Sequence, residues 1–552
     1  MAEHFERHAR TSSILTFVSR ITGLVRDAAL ASVFGISPFT DAFNFAFQIP
    51  NLFRRLFGEG AISAAFVPRY TELVRDDPER ARRYAGLMLG FLAILLCAIV
   101  VVGEIALFWL WSSAPAVEVA AGVPVHAGGV VLPTVGTRYA RLAYELAAIM
   151  LPYMPLVCLV AVGGSALQTH GRFGPTAGSP ILLNLFMIAA MLGLYPLVVA
   201  GSIDPETHLR VLALSVLAAG LLQLAWIHAA LRAVRPVFAP GDGAVRGLVR
   251  ATLLGAGPLM LGLGVLQVNI VVDGLIASWP SIVGPTILGI DYPLEEGAMT
   301  ALTNAARLYE FPLGVFGISI ATAIFPALSR QNNDAPAFMA TLRRGLRLTM
   351  FIGLPASAGL MLVSREAVGV LFQRGAFGPE ETERVAFVLL GFAPAIWAYQ
   401  ANHILTRAFY ARKEPITPVK VAVAMVGLNL ALNVTLIFTP LREAGLAAST
   451  SVCAVVQAAI LARVLSRTLR CESAGAMVDR AVAGSVARSA TATACMVAAV
   501  LAAGALLPDA EGVRGMAVSL AVKVGVGAAA YLAVARVLAP EELRAALGRR
   551  AS

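Results

Sequence analysis

Apolar stretches long enough to cross a bilayer recur along the whole chain. They fall at about residues 13–35, 41–67, 84–112, 139–168, 178–200, 209–231, 251–279, 299–327, 345–363, 384–409, 416–438, 444–465, 486–507 and 515–538. A helix needs about 20 mostly apolar residues to span the hydrocarbon core. The pattern therefore predicts an all-α polytopic membrane protein with about fourteen transmembrane helices. The second and eighth stretches carry the most charge. The polar segments between stretches alternate in character. One set holds Arg54, Arg55, Arg69, Arg75, Arg80, Arg82 and Arg83; then Arg232, Arg235, Arg246 and Arg250; then Arg330, Arg343, Arg344 and Arg347. It continues with Arg407, Arg412, Lys413 and Lys420, and with Arg463, Arg467, Arg470, Arg480 and Arg488. The other set has Arg210, Arg442 and Arg514 alone in their loops and no basic residue in 280–298. Basic loops stay on the cytoplasmic side, so both termini are expected inside.

Composition agrees. Hydrophobic residues make up 58% of the chain and charged residues 14%, whereas soluble domains average about 45–50% and 25%. A net charge of +10 could signal nucleic acid, but in a membrane protein it is the expected excess of cytoplasmic Arg and Lys, and no nucleic-acid partner is expected. The five cysteines and seven histidines show neither ligand spacing nor a disulfide frame. The polar first ten residues lead into a long span without a signal-peptidase site. No nucleotide-binding loop is present, and no enzymatic activity is expected.

An internal repeat organises the spans. FVPRY (66–70) resembles IFPALSR (324–330), the Arg82-Arg83 pair matches Arg343-Arg344, and GRFGP (171–175) parallels ARKEP (411–415). The common offset of about 240–260 residues predicts two pseudo-symmetric six-helix lobes, 1–235 and 236–475, followed by a helix pair with a cytoplasmic tail, 476–552. Transporters are commonly built from such repeats with the substrate between them.

Ionisable residues inside spans cost about 2.5–3.5 kcal/mol each at the bilayer centre and normally face protein or a water-filled cavity. The first span carries Arg20, Arg26 and Asp27. The second carries Asp41, Asn44, Gln48, Asn51 and Arg55 at spacings of three and four, a polar stripe on one helical face. Pro50 should kink that helix, and Thr40 is its expected N-cap. In the eighth span Thr300, Thr303, Arg307 and Glu310 share a face, with Pro312 beyond. Two kinked, striped helices at matching repeat positions predict a shared hydrophilic cavity. Several guanidinium groups there would repel one another unless an anion sat among them. Their planar forks suit phosphate oxygens, so the cargo is expected to be an anionic, lipid-linked molecule.

Residues 19–72, SRITGLVRDAALASVFGISPFTDAFNFAFQIPNLFRRLFGEGAISAAFVPRYTE, closely resemble the N-terminal signature of the MurJ (MviN) lipid II flippases. ARLYEFPLGVFGISIATAIFPALSR (306–330), FQRGAF (372–377) and ARKEPITPVK (411–420) fit the same family, so the resemblance spans essentially the whole chain. It implies a multidrug/oligosaccharidyl-lipid/polysaccharide exporter fold in the bacterial inner membrane and lipid II as the cargo. The last two helices would contribute a groove for the lipid tail. It further implies contact with membrane lipids and with other cell-wall synthesis or division proteins. By this resemblance Arg20, Arg26, Asp41, Arg54, Arg55 and Arg307 line the substrate cavity and Glu59 and Glu310 act in gating. Ala306 and Gln48 depart from the family pattern, and the 280–298 loop reads as an external insertion carrying Asp291, Glu295 and Glu296.

Two energy sources are expected: the membrane potential, worth about 2.3 kcal/mol per charge per 100 mV, and a sodium ion. Asp273 shares a helical face with Asn269, and Asn429 with Asn433, with Ser449 following. Carboxylate and amide oxygens suit a hard cation. Interhelical Asn–Asn hydrogen bonding explains the same residues equally well. Three other readings compete: a related exporter of oligosaccharide-lipids or drugs, a membrane glycosyltransferase, and a non-transporting scaffold. The first, as a drug/cation antiporter, would want an acidic cavity. The second would want carboxylates spaced for acid–base work near the outer face.

Overall fold

The computed structural model describes residues 2–58, 61–114, 126–127, 130–131, 138–232, 234–238, 243–471, 475–508 and 512–547. Glu59, expected in gating, lies outside them. The described chain is almost wholly helical and divides into two compact units, residues 1–300 and 301–552.

The first unit opens with α1 (Ala2–Phe34), which ends at Gly35 with φ 62°. Ser37, not Thr40, then caps α2 (Pro38–Phe53): the Ser37 side chain accepts from Thr40 N, and Thr40 Oγ1 accepts from Ser37 N at 3.0 Å. Pro38 explains the earlier start, because its fixed φ and missing N–H suit the first helical position. Beyond Pro50 the helix widens into a π-turn at Arg54–Gly58, and α3 (Ala61–Asp76) follows. Asp77 caps α4 (Pro78–Ser113) through Arg80 N. After the short hairpin β1 (His126–Ala127) and β2 (Val130–Val131) come α5 (Arg138–Met150), α6 (Tyr153–Thr169), α7 (Gly174–Val199) and α8 (Pro205–Leu231). The long α9 (Gly243–Ile282) belongs to this unit as well.

The repeat places α9 in the second lobe, so the lobe boundary expected at 235 and the compact-unit boundary at 300 fall in different places. Packing accounts for the second. Tyr84 and Thr252 hydroxyls meet at 2.7 Å, and Gln48 Nε2 donates to the Ile270 carbonyl at 2.7 Å. The segment leading into α9 crosses α4 at Gly86, where a Cβ would lie 2.1 Å from the Val237 carbonyl oxygen. Only glycine admits that approach.

The 280–298 loop is ordered. β3 (Thr286–Ile287) and β4 (Ile290–Asp291) form a hairpin whose turn residues Leu288 and Gly289 have φ of 51° and 81°. Two positive φ values match the twist of a tight hairpin. Trp279 stacks on Tyr292, and the Tyr292 hydroxyl donates to the Ile276 carbonyl at 2.8 Å. Asp291, Glu295 and Glu296 are exposed.

α10 (Ala298–Pro312) passes from the end of the first unit into the second, where a second π-turn, Leu313–Gly317, leads to α11 (Ile318–Arg330). Then follow α12 (Ala335–Leu362), α13 (Ser364–Phe372), α14 (Pro379–Phe392), α15 (Ile396–Ala411), α16 (Ile416–Leu436) and α17 (Glu443–Cys471). The C-terminal part is α18 (Arg480–Leu506), α19 (Gly512–Leu538) and the short α20 (Pro540–Ala546). The core joins Phe338, Met339 and Leu342 of α12 with Ile404, Leu405 and Phe409 of α15 and Leu461 and Leu465 of α17.

The repeat reappears in backbone geometry. Each π-turn follows a proline within the helix (Pro50, Pro312), ends in Phe-Gly, and precedes a second proline (Pro68, Pro326). π-turns are rare and concentrate at functional positions. Among the described residues, eleven helical stretches are long and apolar enough to cross a membrane. The stretches expected at 13–35, 41–67 and 251–279 fall on α1, on α2 with its π-turn and α3, and on α9, which are not among these eleven. Polar and charged residues inside the first two lower their hydropathy.

Candidate functional site

Three polar constellations stand on the helices that the sequence marks out. On α1, Arg26 is half-buried, its side chain 13% exposed. Its Nε and Nη2 donate to Asp27 Oδ1 at 2.9 and 2.6 Å, and its Nη1 donates to Asn184 Oδ1 of α7 at 3.1 Å. Asn184 is fixed in turn, its Nδ2 donating to the Ser19 carbonyl (3.2 Å) and to Thr22 Oγ1 (3.0 Å). A guanidinium has five N–H groups, and these bonds use one on each nitrogen. One N–H on each of Nη1 and Nη2 is left over. Arg20, nearly two turns earlier on α1, is exposed.

The second constellation centres on Asp41, which is 0% exposed. Its Oδ1 accepts from Thr300 N (2.9 Å) and Thr300 Oγ1 (2.7 Å); its Oδ2 accepts from Gly297 N (2.7 Å) and Ser281 Oγ (2.6 Å). The carboxylate thus caps the N-terminus of α10, where free N–H groups and the helix dipole favour an anion. It also ties α2 to the end of α9. The rest of the α2 stripe behaves similarly. Asn44 Nδ2 donates to Thr300 Oγ1 at 3.1 Å, and Gln48 sits so close to α9 that a Cβ on Gly274 would lie 2.4 Å from its Oε1. Within the first unit the stripe therefore holds helices together. At its far end Arg54 Nε donates to Asn51 Oδ1 at 3.4 Å from within the first π-turn, while Arg55 is exposed.

In the second unit Arg307 pairs with Glu310 at 3.4 Å across one helical turn, both side chains more than a third exposed. Tyr309, between them, stacks on Phe392 and Tyr399 and fixes α10 against α14 and α15.

The candidate sodium residues divide. Asn429, Asn433 and Ser449 come together: Asn433 Nδ2 donates to Asn429 Oδ1 (3.0 Å), Asn429 Nδ2 to Ser449 Oγ (3.1 Å), and Ser449 Oγ to Asn433 Oδ1. That triangle closes on itself and contains no carboxylate. Asp273 lies in the first unit, where its Oδ2 accepts from Asn269 Nδ2 at 3.1 Å. Among the described residues no group of three or more His, Cys, Asp or Glu residues suits a metal ion.

Several functional partners escape a reading of the sequence. Asn184 signals itself only as a lone amide in an apolar span. Ser281 and Gly297 give no signal at all. Ion pairs in the second unit are non-local as well, among them Lys523 with Glu366, and Arg347 with Glu541 (2.8 Å) and Glu542 (2.6 Å).

The family model described as lipid II flippase MurJ matches residues 30–518. A probable lipid II flippase MurJ of Vibrio cholerae is 32% identical over 539 residues, covering 95% of this chain and 94% of that one. The lipid II flippase MurJ of Burkholderia cenocepacia is 31% identical, covering 82% of each. Among solved structures, a lipid II flippase MurJ in an inward closed conformation superposes with a TM-score of 0.74 at 21% identity, covering 98% of this chain and 99% of that one. An inward-facing multidrug resistance MATE transporter of the MOP superfamily gives 0.62 at 13% identity, covering 84% and 98%. The structural likenesses establish the fold, which this chain shares with those membrane proteins. The sequence matches establish the family: this chain belongs to the lipid II flippase MurJ family.

Proposed function

We propose that this chain moves lipid II from the cytoplasmic to the outer leaflet of the bacterial inner membrane by alternating access, both termini remaining in the cytoplasm. The pyrophosphate is the feature the protein recognises. Arg26 carries the reading: a half-buried guanidinium, held by Asp27 and Asn184, that keeps one N–H on each terminal nitrogen. Two parallel N–H groups are what a phosphate accepts from arginine. Arg20 adds charge on the same helix, Arg307 offers a second guanidinium in the other unit, and Arg54, Arg55 and Glu59 serve at the entry side. The Glu310 carboxylate occupies Arg307 until cargo displaces it.

Asp41 acts at one remove. With four hydrogen bonds already accepted, it has little capacity for cargo. Its role is to hold α2, α9 and the start of α10 in one arrangement. The membrane potential resets the empty carrier. The closed Asn429–Asn433–Ser449 triangle reads as a joint between α16 and α17. Asp273 is the one carboxylate among the candidate sodium ligands.

Complementation tests the arginine assignment. Arg26→Ala and Arg307→Ala should each abolish growth rescue while the protein still reaches the membrane. Wild-type growth with both variants would overturn it.

A further inference from the structure

The second π-turn lies against polar groups that the transport reading leaves unused. Gln400 of α15 is 0% exposed, and neither its Oε1 nor its Nε2 has a hydrogen-bond partner. Thr349 of α12 is likewise 0% exposed, with its Oγ1 unpartnered. Buried polar groups are nearly always paired, and leaving them unpaired is expensive. Three such atoms on two packed helices raise the energy of this conformation.

The packing around them is unusually close. Gly345, Thr349, Gly353 and Ser357 form a stripe of small residues at i+4 intervals along α12. A Cβ on Gly353 would lie 2.8 Å from Trp397 Cα and 3.0 Å from Gln400 Oε1. Ser357 Oγ accepts from Trp397 N at 3.4 Å. On the other side, a Cβ on Gly317, the last residue of the π-turn, would lie 2.7 Å from Gln400 Cγ. Gln400 is thus wedged between two glycines, one of them in the turn itself. The first repeat differs at the comparable place: Cys158 Sγ of α6 donates to the Phe53 carbonyl, just before the first π-turn, at 3.6 Å. There the side chain facing the turn is paired; in the second repeat it is not.

We propose that Gln400, assisted by Thr349, is a positioning residue for transport, acting through the 313–317 turn. A π-turn and an α-turn pair different main-chain groups, so a change of pitch exposes an N–H or a carbonyl. Beside Gln400, which is fully buried, that group must find its partner within the protein. The Gln400 amide offers two donors and an acceptor and already lies against the last residue of the turn, where only the absence of a Cβ on Gly317 admits it. Its unpaired state here favours departure from this conformation, and its pairing stabilises the next.

This inference rests on the alternating-access reading, and the test separates the two. The full chain and its Gln400→Met, Thr349→Val and Thr349→Ser variants are reconstituted in vesicles. Melting temperature, amide exchange over 313–317 and lipid II movement are measured on each. Gln400→Met should melt a few degrees higher, slow exchange in the turn and slow transport, each rate by about tenfold. Thr349→Val should move all three the same way by less, and Thr349→Ser, which keeps the hydroxyl, should match the wild type. Normal transport by Gln400→Met overturns the proposal. So does a lower melting temperature in both Gln400→Met and Thr349→Val, which would mean that the groups are paired and merely structural. If the unaltered protein moves no lipid II, the transport reading fails, while melting and exchange still decide the role of Gln400.

Discussion

Replacing Asp41 with asparagine changes one oxygen to an NH2 group and nothing in shape, so its cost can be worked from the contacts. Oδ1 receives Thr300 N and Thr300 Oγ1, and Oδ2 receives Gly297 N and Ser281 Oγ. The two hydroxyls can rotate and accept from the new amide. The two main-chain N–H groups cannot. Whichever way the asparagine amide turns, one of them, Gly297 N or Thr300 N, faces a donor and loses its acceptor. An unsatisfied buried donor costs about 1–3 kcal/mol, and losing the anion at the α10 N-terminus costs up to about 2 kcal/mol more. Asp41→Asn should therefore destabilise the first unit by about 1–5 kcal/mol. At about 2 °C per kcal/mol for a unit of this size, that is a fall of about 2–10 °C in melting temperature. Thermal unfolding in detergent, followed by intrinsic fluorescence, measures it. Asp41→Ala, which abandons all four donors, should fall further, and Ser281→Ala, which removes one donor and leaves no orphan, should fall least. An Asp41→Asn melting temperature within 1 °C of wild type would refute the capping role, and so would a reversed order.

Asn184→Ala should reduce transport less than Arg26→Ala does, by about tenfold, because the guanidinium stays charged but loses its second support; Asn184→Gln should not rescue it, and equal rates for Asn184→Ala and wild type in a vesicle assay would count against the Arg26 geometry. Glu542 has a definite pH signature. Burial pushes its carboxyl up, but hydrogen bonds from Ser485 and Arg347 outweigh that and hold it below the ordinary value. A depressed folded value means that its stabilisation is fully present above about pH 4.3 and is lost as pH falls through the folded value. Glu542→Gln should thus lower the melting temperature at pH 7 by the equivalent of about 1–3 kcal/mol, with the gap to wild type closing below about pH 4; a gap that does not change with pH contradicts the pairing. If sodium is coupled through Asp273, Asp273→Ala should abolish any sodium dependence of transport measured at fixed membrane potential; unchanged dependence removes Asp273 from consideration.

Much of the fold was legible because hydrophobic burial in a membrane is written as long apolar runs, and because Pro50 and Pro312 announce their kinks. What those prolines could not announce is the π-turn that follows each, since nothing in Arg54–Gly58 or Leu313–Gly317 distinguishes it from an ordinary helical turn. The polar stripe of α2 was legible as a stripe. Its use was not, because periodicity shows which residues share a face and not what meets that face. Asp41, Asn44 and Gln48 meet α9 and the start of α10, whose residues lie 256, 222 and more positions away. Arg347 with Glu542, and Lys523 with Glu366, are likewise 195 and 157 residues apart. Each of these charges, read alone, looks like a loop or interfacial charge. The arginines of α1 and α10 were visible as charges out of place in lipid, whereas Asn184, which holds Arg26, looked like one amide in an apolar run.

The central claim is that this chain carries lipid II across the membrane. The most direct measurement depletes the protein in its own cell and labels lipid II separately on each leaflet. The account predicts that lipid II accumulates in the cytoplasmic leaflet and disappears from the outer one, with restoration by the wild-type chain and not by Arg26→Ala. Lipid II arriving in the outer leaflet at the normal rate after depletion would contradict it.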